Sequence, residues 1–124
     1  MKFKHFALAF GVVVVALAVL FLRPVPILPE AECHAVEGTV SEVYFNSGND
    51  IVFKLVDNKL RYYINRGTER GVAKEDALAC IGKDVTIKYP PYWTPLDPDN
   101  TVRHLSKIYV ENEVLFDECR DKKN

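Results

Sequence analysis

The hydrophobic pattern changes once along the chain, from continuous to alternating. Phe6 to Leu22 is an unbroken stretch of seventeen uncharged residues dominated by Val, Leu, Ala and Phe. As a helix it spans roughly 25 Å, the lower end of what a bilayer core requires. It has no polar stripe of the kind a core helix would turn to solvent. The stretch therefore predicts a transmembrane anchor over 6–22. Lys2 and Lys4 precede it and only Arg23 follows closely. By the positive-inside bias, residues 1–5 lie in the cytoplasm and the rest of the chain is exported.

A cleaved secretory signal would carry small residues just after the apolar run. Arg23-Pro24-Val25-Pro26-Ile27-Leu28-Pro29 carries none. The expectation is an uncleaved anchor, with cleavage near Ala31 or Ala35 as the alternative. Pro24, Pro26 and Pro29 make 23–35 a stiff, extended spacer.

From Val36 the pattern alternates. Val36, Gly38 and Val40 share one phase and Val43 and Phe45 the other, so a strand with a bulge near Ser41-Glu42 is expected. Asn46 to Asp50 is dense turn chemistry. Ile51, Phe53 and Leu55 mark a second strand, Asp57-Asn58 a turn, and Leu60, Tyr62 and Ile64 a third strand. Val72, Ala73, Ala77, Leu78 and Ile81 then recur at helical spacing, with Lys74 and Glu75 pointing away and Gly82 as the stop. Val85, Ile87 and Tyr89 predict a fourth strand. After a proline-rich loop come a fifth, Leu105 to Val110, and a short sixth piece, Val114 to Phe116.

This order predicts a mainly β domain over 36–118, a small OB-fold-like barrel (β-β-β-α-β-β), with a polar tail over 119–124. An SH3-like barrel would lack the helix before the fourth strand. A ubiquitin-like roll would place its helix after two strands.

Three phrases carry a resemblance: Tyr62-Tyr63-Ile64-Asn65-Arg66-Gly67, Ile81-Gly82-Lys83-Asp84-Val85-Thr86-Ile87 and Trp93-Thr94-Pro95-Leu96-Asp97-Pro98. Over roughly 36–117 the chain resembles small uncharacterised bacterial membrane-anchored or exported proteins with an OB-like domain. The resemblance implies a bacterial origin but no activity. The expected location is the bacterial inner membrane, single-pass, with the domain in the periplasm or outside the cell.

Charge narrows the partners. The chain has 16 Lys and Arg against 17 Asp and Glu. Lys2, Lys4 and Arg23 flank the apolar run, which leaves 13 basic and 17 acidic residues beyond it, a net of −4. That balance and the export argue against nucleic acid as a partner.

Outside the cytoplasm Cys33, Cys80 and Cys119 would meet conditions in which disulfides persist. The first strand of the expected barrel runs antiparallel to the fourth, so Cys33 lies near the fourth strand's end, where the fifth begins. If Glu111-Asn112 is a hairpin turn, the chain returns to that end and Cys119 falls opposite His104, near Cys33. If the fifth strand runs straight on to Phe116, Cys119 lies beside Cys80. Cys33–Cys119 is the favoured pair, with Cys80–Cys119 or an intermolecular bridge through Cys33 as alternatives. A loop of that length would contribute roughly 4–5 kcal/mol in the chain-entropy account. Cys80, on the buried edge of the helix, otherwise serves as a small core hydrophobe.

Catalytic motifs are lacking: there is no Gly-rich phosphate loop, no G-x-S-x-G and no His in a recognisable nucleophile motif. Asp50, Asp97 and Asp99 sit in turn-rich stretches, where aspartate is common for turn reasons. Cys33, His34, His104 and Cys119 could converge as a metal site, although they lack close C-x-x-C or H-x-x-x-H spacing. Neither an enzyme nor a cofactor is expected.

The most informative surface is the loop over 89–98, in which Tyr89, Tyr92 and Trp93 alternate with four prolines. Prolines reduce the entropy lost on binding, and the aromatics offer large contact area. Arg61 and Tyr63 would point outward on the neighbouring strand. The expectation is a membrane-tethered binding module that grips a protein or cell-envelope component through this loop. The alternative is a small-molecule or metal-binding domain, with its site under the loop or at the Cys-His cluster.

Overall fold

The computed structural model describes residues 2–22 and 24–119, so the expected tail falls, from Arg120 on, outside the described residues. By compactness the chain divides into two units, Met1–Pro24 with Trp93–Asn100, and Val25–Tyr92 with Thr101–Asn124. In the first, α1 (Lys2–Leu22) is a 21-residue helix, long and apolar enough to cross a membrane by length and composition. It begins ahead of the expected 6–22 because Lys2 to His5 contain no helix breaker.

The second unit is built on a seven-stranded sheet with a short helix between its third and fourth strands. β1 (His34–Phe45) is the long central strand. Its first half pairs antiparallel with β4 (Asp84–Tyr89), from His34 opposite Tyr89 to Thr39 opposite Asp84. Its second half pairs with β2 (Ile51–Leu55), and the register slips between Val40 and Glu42. The phase change in the sequence is thus a bulge at Ser41, where the strand exchanges one partner for another. It lets Val40 and Val43 both reach the core.

β2 continues antiparallel to β3 (Arg61–Ile64), with Ile51 opposite Ile64. The turn between β1 and β2 is organised by Asn46, whose side-chain oxygen accepts from the N–H groups of Gly48 and Asp50. After β3 the chain passes through a 3-10 turn at Gly67–Glu69 into α2 (Lys74–Leu78). A Cβ at Gly67 would meet Ile51 Cδ1 at 2.7 Å and Cγ1 at 2.8 Å, so the turn approaches the core more closely than any other residue permits.

The helix is shorter than the spacing of 72–81 suggests. It starts from Ala73 without a side-chain cap, and Gly82 stops the following turns at φ +86°. Val72, Ala77 and Cys80 are buried, whereas Leu78 and Ile81 stay 45% and 47% exposed. Five residues make too short a helix to turn all the apolar positions inward.

The expected fifth strand is split. β5 (Val102–His104) runs parallel to β3, and β6 (Lys107–Val110) runs antiparallel to β4. Only Leu105 and Ser106 separate them. The Leu105 N–H donates to Tyr63 O and the Ser106 N–H to Lys88 O, so the chain leaves one neighbour for another at this point. Glu111 and Asn112, at φ +50° and +75°, form a tight hairpin turn into β7 (Glu113–Asp117). β5 and β7 end the strand order, so the sheet is open in its pairing.

The core is Val40, Ile51, Phe53, Leu55, Tyr62, Ile64, Val85, Ile87, Leu105, Ile108 and Phe116 with the residues around them. The alternating positions of β2, β3 and β4 supply about half of it.

Candidate functional site

The loop of the first unit is held by its own atoms. The Trp93 indole Nε1 donates to Pro98 O at 3.0 Å. The Asp97 N–H donates to Thr94 O and the Asn100 N–H to Asp97 O. Thr94 Oγ1 also accepts from the Leu96 N–H at 3.3 Å. These bonds fix the loop's shape while leaving Trp93 45% and Leu96 70% exposed. An ordered loop that presents apolar area to solvent loses little entropy when it is covered.

The other expected contact residues have different surroundings. Tyr89 ends β4 and is half-buried, with the rings of His34 and Tyr62 at 5.5 and 5.9 Å and the Arg103 guanidinium 4.8 Å over its face. Tyr92 is half-buried. Arg61 and Tyr63 do face outward from β3, since Tyr62 and Ile64 take the core side. Arg61 is exposed. Tyr63 is partly covered, its ring edge-on to His104 at 5.4 Å. Burial pushes the Tyr63 phenol up, with the nearby Asp50, Tyr92 and Glu118 acting in the same direction. Asp50 serves the backbone, accepting from the Arg66 N–H at 2.8 Å.

Two polar networks cross the sheet. In the first, His104 Nε2 donates to Glu118 Oε2, and Arg70 binds Glu118 Oε1 at 2.7 Å. Burial works to raise the Glu118 carboxyl, but the bonds and charges of His104 and Arg70 outweigh it and hold the group below its ordinary range. His104 Nδ1 is buried without a partner. In the second, Glu30 accepts from Lys107 Nζ at 2.6 Å and from the Tyr109 hydroxyl at 2.7 Å, with Lys88 at 3.8 Å. Lys107 also reaches Asp117 at 3.4 Å. The bonds from Lys107 and Tyr109 hold the Glu30 carboxyl low. The same bonds raise the Lys107 ammonium.

The spacer is therefore fastened to the sheet from Glu30, and strand pairing begins at His34, two residues before the expected domain boundary. Glu30 gave no sequence signal because its partners lie 77 and 79 residues away. Glu118 was closer to view. Counting back from the hairpin turn sets Cys119 opposite His104, but β7 holds one extra residue. Ile108 faces Phe116 while Tyr109 faces Val114, so Leu115 is bulged. The Glu118 N–H consequently meets Ser106 O, and from that position the Glu118 side chain reaches His104.

The four proposed metal ligands do not converge. His34 stacks on Tyr89 and His104 is bound to Glu118. Among the described residues no group of three or more His, Cys, Asp and Glu side chains could hold an ion. Cys33 and Cys119 do come together, their thiols within hydrogen-bonding reach of one another, while Cys80 is buried against Asp76 O. The three are unbridged. Burial raises all three thiols, Cys119 to about 12 with the help of neighbouring Cys33 and Asp117.

Two surface clefts lie on the sheet unit. One of about 420 Å³ is walled by Ala79, Cys80, Val110 and Val114 with Asp76 and Lys83 at its rim. Another of about 560 Å³ lies along Glu37, Asp84, Thr86 and Tyr109. Neither includes a residue of 89–98. Comparison with protein-family models, curated proteins and solved structures found no match to this chain.

Proposed function

We propose that this protein is a non-enzymatic, membrane-tethered interaction module whose exported domain contacts a protein or cell-envelope component through the loop over 89–98. The observation that carries this reading is the internally bonded loop that leaves Trp93 and Leu96 in solvent. An indole that plugged the core would be buried. Large apolar side chains on a preorganised loop are the usual makings of a contact surface. Within the loop, Trp93 and Leu96 are the principal contacts. Tyr92 precedes them in the sequence, and Tyr89, Arg61 and Tyr63 are further candidate contacts on the sheet unit.

The anchor holds the domain at the membrane and raises its effective concentration for membrane-bound partners. The two lysines ahead of the apolar run favour a cytoplasmic N-terminus in a bacterial inner membrane, with the domain outside the cytoplasm. With Glu30 fastened, 24–29 is the spacer that remains, about 19 Å long at ~3.1 Å per residue.

For the domain we propose an OB-like barrel. β1 changes partner at a bulge, α2 precedes β4, and the stretch 102–110 borders β3 at one end and β4 at the other. A non-enzymatic role is supported by His104, the histidine paired with a carboxylate, whose second nitrogen is buried away from any substrate.

Trp93→Ala tests the reading in the full chain solubilised from membranes. The partner co-purifying with the wild type should be lost, with the melting temperature within about 2 °C of wild type, as for a change outside the core. A large fall in melting temperature, or unchanged co-purification, would refute it.

A further inference from the structure

Cys33 and Cys119 hang from one polar cluster. Cys33 closes the 3-10 turn that carries Glu30, its N–H donating to Glu30 O at 3.1 Å. Glu30 binds Lys107, and Lys107 reaches Asp117. Asp117 in turn accepts from the Cys119 N–H at 2.8 Å. On the next residue the Glu118 N–H donates to Ser106 O, which brings the end of β7 to the point where the chain passes from β5 to β6. Both cysteine residues are half-buried, and their thiols face one another beside the Ser106 hydroxyl. Cys80 is buried in the core on its own, its thiol donating to Asp76 O.

We propose that Cys33 and Cys119 form an intramolecular disulfide that locks the spacer end of the domain to its last strand. The bond needs an oxidant, and its chemical class is the disulfide of an extracytoplasmic thiol oxidase. The Cys33 thiolate attacks one sulfur of that disulfide, forming a mixed disulfide and releasing one donor thiolate. The Cys119 thiolate then attacks the Cys33 sulfur and releases the second. Two protons pass from the cysteines to the reduced donor, and two electrons go with them.

Desolvation leaves little thiolate on either cysteine in the folded, reduced protein, so exchange is slow there and proceeds before β7 docks. Once formed, the bridge holds Glu30 in place even when its ion pairs are screened. The lock rests on the proposed export of the domain, because a reducing compartment would keep the thiols apart.

The test uses the reduced full chain in detergent, refolded to equilibrium with a mixture of oxidised and reduced glutathione. The expected product is two hydrogens lighter, yields one peptide pair joining 33 to 119, and keeps Cys80 as its one alkylatable thiol. Reduction should lower the melting temperature by more than about 10 °C. Cys33→Ser and Cys119→Ser should each cause that loss, and the double variant should lose no more. A cross-link to Cys80, a lasting glutathione adduct on Cys33, or three free thiols at equilibrium would overturn the proposal. Acid-quenched alkylation in cells separates the two layers. A bridge that forms with glutathione but is missing in cells leaves the pair intact and refutes the export of the domain.

Discussion

The two polar networks on the sheet and the loop over 93–98 treat side chains in opposite ways. Across the sheet, charged groups are taken out of water and each is answered by a partner: Glu30 by Lys107 and Tyr109, Glu118 by His104 and Arg70. On the loop, Trp93 and Leu96 leave apolar area in water while polar groups of the loop, the indole N–H among them, are hydrogen-bonded. The first arrangement makes sense as a way to fix where the chain ends go. The second makes no sense as a stability device, because exposing Leu96 and Trp93 forgoes the burial that would stabilise the fold. On the proposed function the networks serve architecture and the loop serves contact, a reading that fails if substitutions in the two regions have the same consequences.

The largest effect is expected where one partner of a partly buried pair is removed. Glu30→Ala leaves Lys107 without its main counter-charge and should cost about 3 kcal/mol in urea denaturation. Glu118→Ala, which strands both His104 and Arg70, should cost about 2–3 kcal/mol. Gly67→Ala comes next, at about 1–3 kcal/mol, since its methyl would overlap Ile51. Trp93→Ala should fall within about 0.5 kcal/mol of wild type while abolishing partner contact.

The pH dependence sharpens the same contrast. Glu30 and Glu118 both have carboxyls held below the ordinary value of 4.5. The unfolded chain therefore binds more protons than the folded one in mildly acid solution. The stability these groups supply is complete above about pH 5 and drains away as the pH falls through their lowered folded values. Lys107, raised above its ordinary 10.5, keeps its contribution through neutrality and gives it up only in strong alkali. Urea midpoints measured from pH 6 to pH 3 should decline, and Glu30→Gln should flatten the decline. Trp93→Ala should leave the slope unchanged.

The smallest effect belongs to the hairpin. Glu111 at φ +50° occupies a position that Asn prefers, and Asn112 at φ +75° one that Gly prefers. Glu111→Asn with Asn112→Gly should add roughly 0.5 kcal/mol to the midpoint stability.

Local features of this fold were legible in the sequence. The phase change at Ser41-Glu42 announced the bulge, the turn residues at 46–50 and 111–112 announced the reversals, and Gly82 announced the end of the helical segment. What the sequence concealed was set by distant pairing. Leu105 and Ser106 read as the interior of one strand, because nothing local records that their N–H groups go to two different strands. Leu115 looks like an ordinary alternating position, yet bulging it sets Glu118 opposite Ser106, from where its carboxylate reaches His104. Leu78 and Ile81 carry helical spacing in a helix too short to use it. At the candidate site, the composition of the loop was plain, but its internal bonding and the fastening of the spacer through Glu30 depend on contacts that no local pattern encodes.

The most direct measurement is photo-crosslinking in living cells with the reactive residue at position 96 of the full chain, and at position 56 as a control. Leu96 and Val56 are both exposed, one on the loop and one in the turn after β2. The account predicts a discrete crosslinked product from 96, lost with Trp93→Ala and missing from 56. Equal products from both positions, or a product from 96 that persists without the indole, would contradict it.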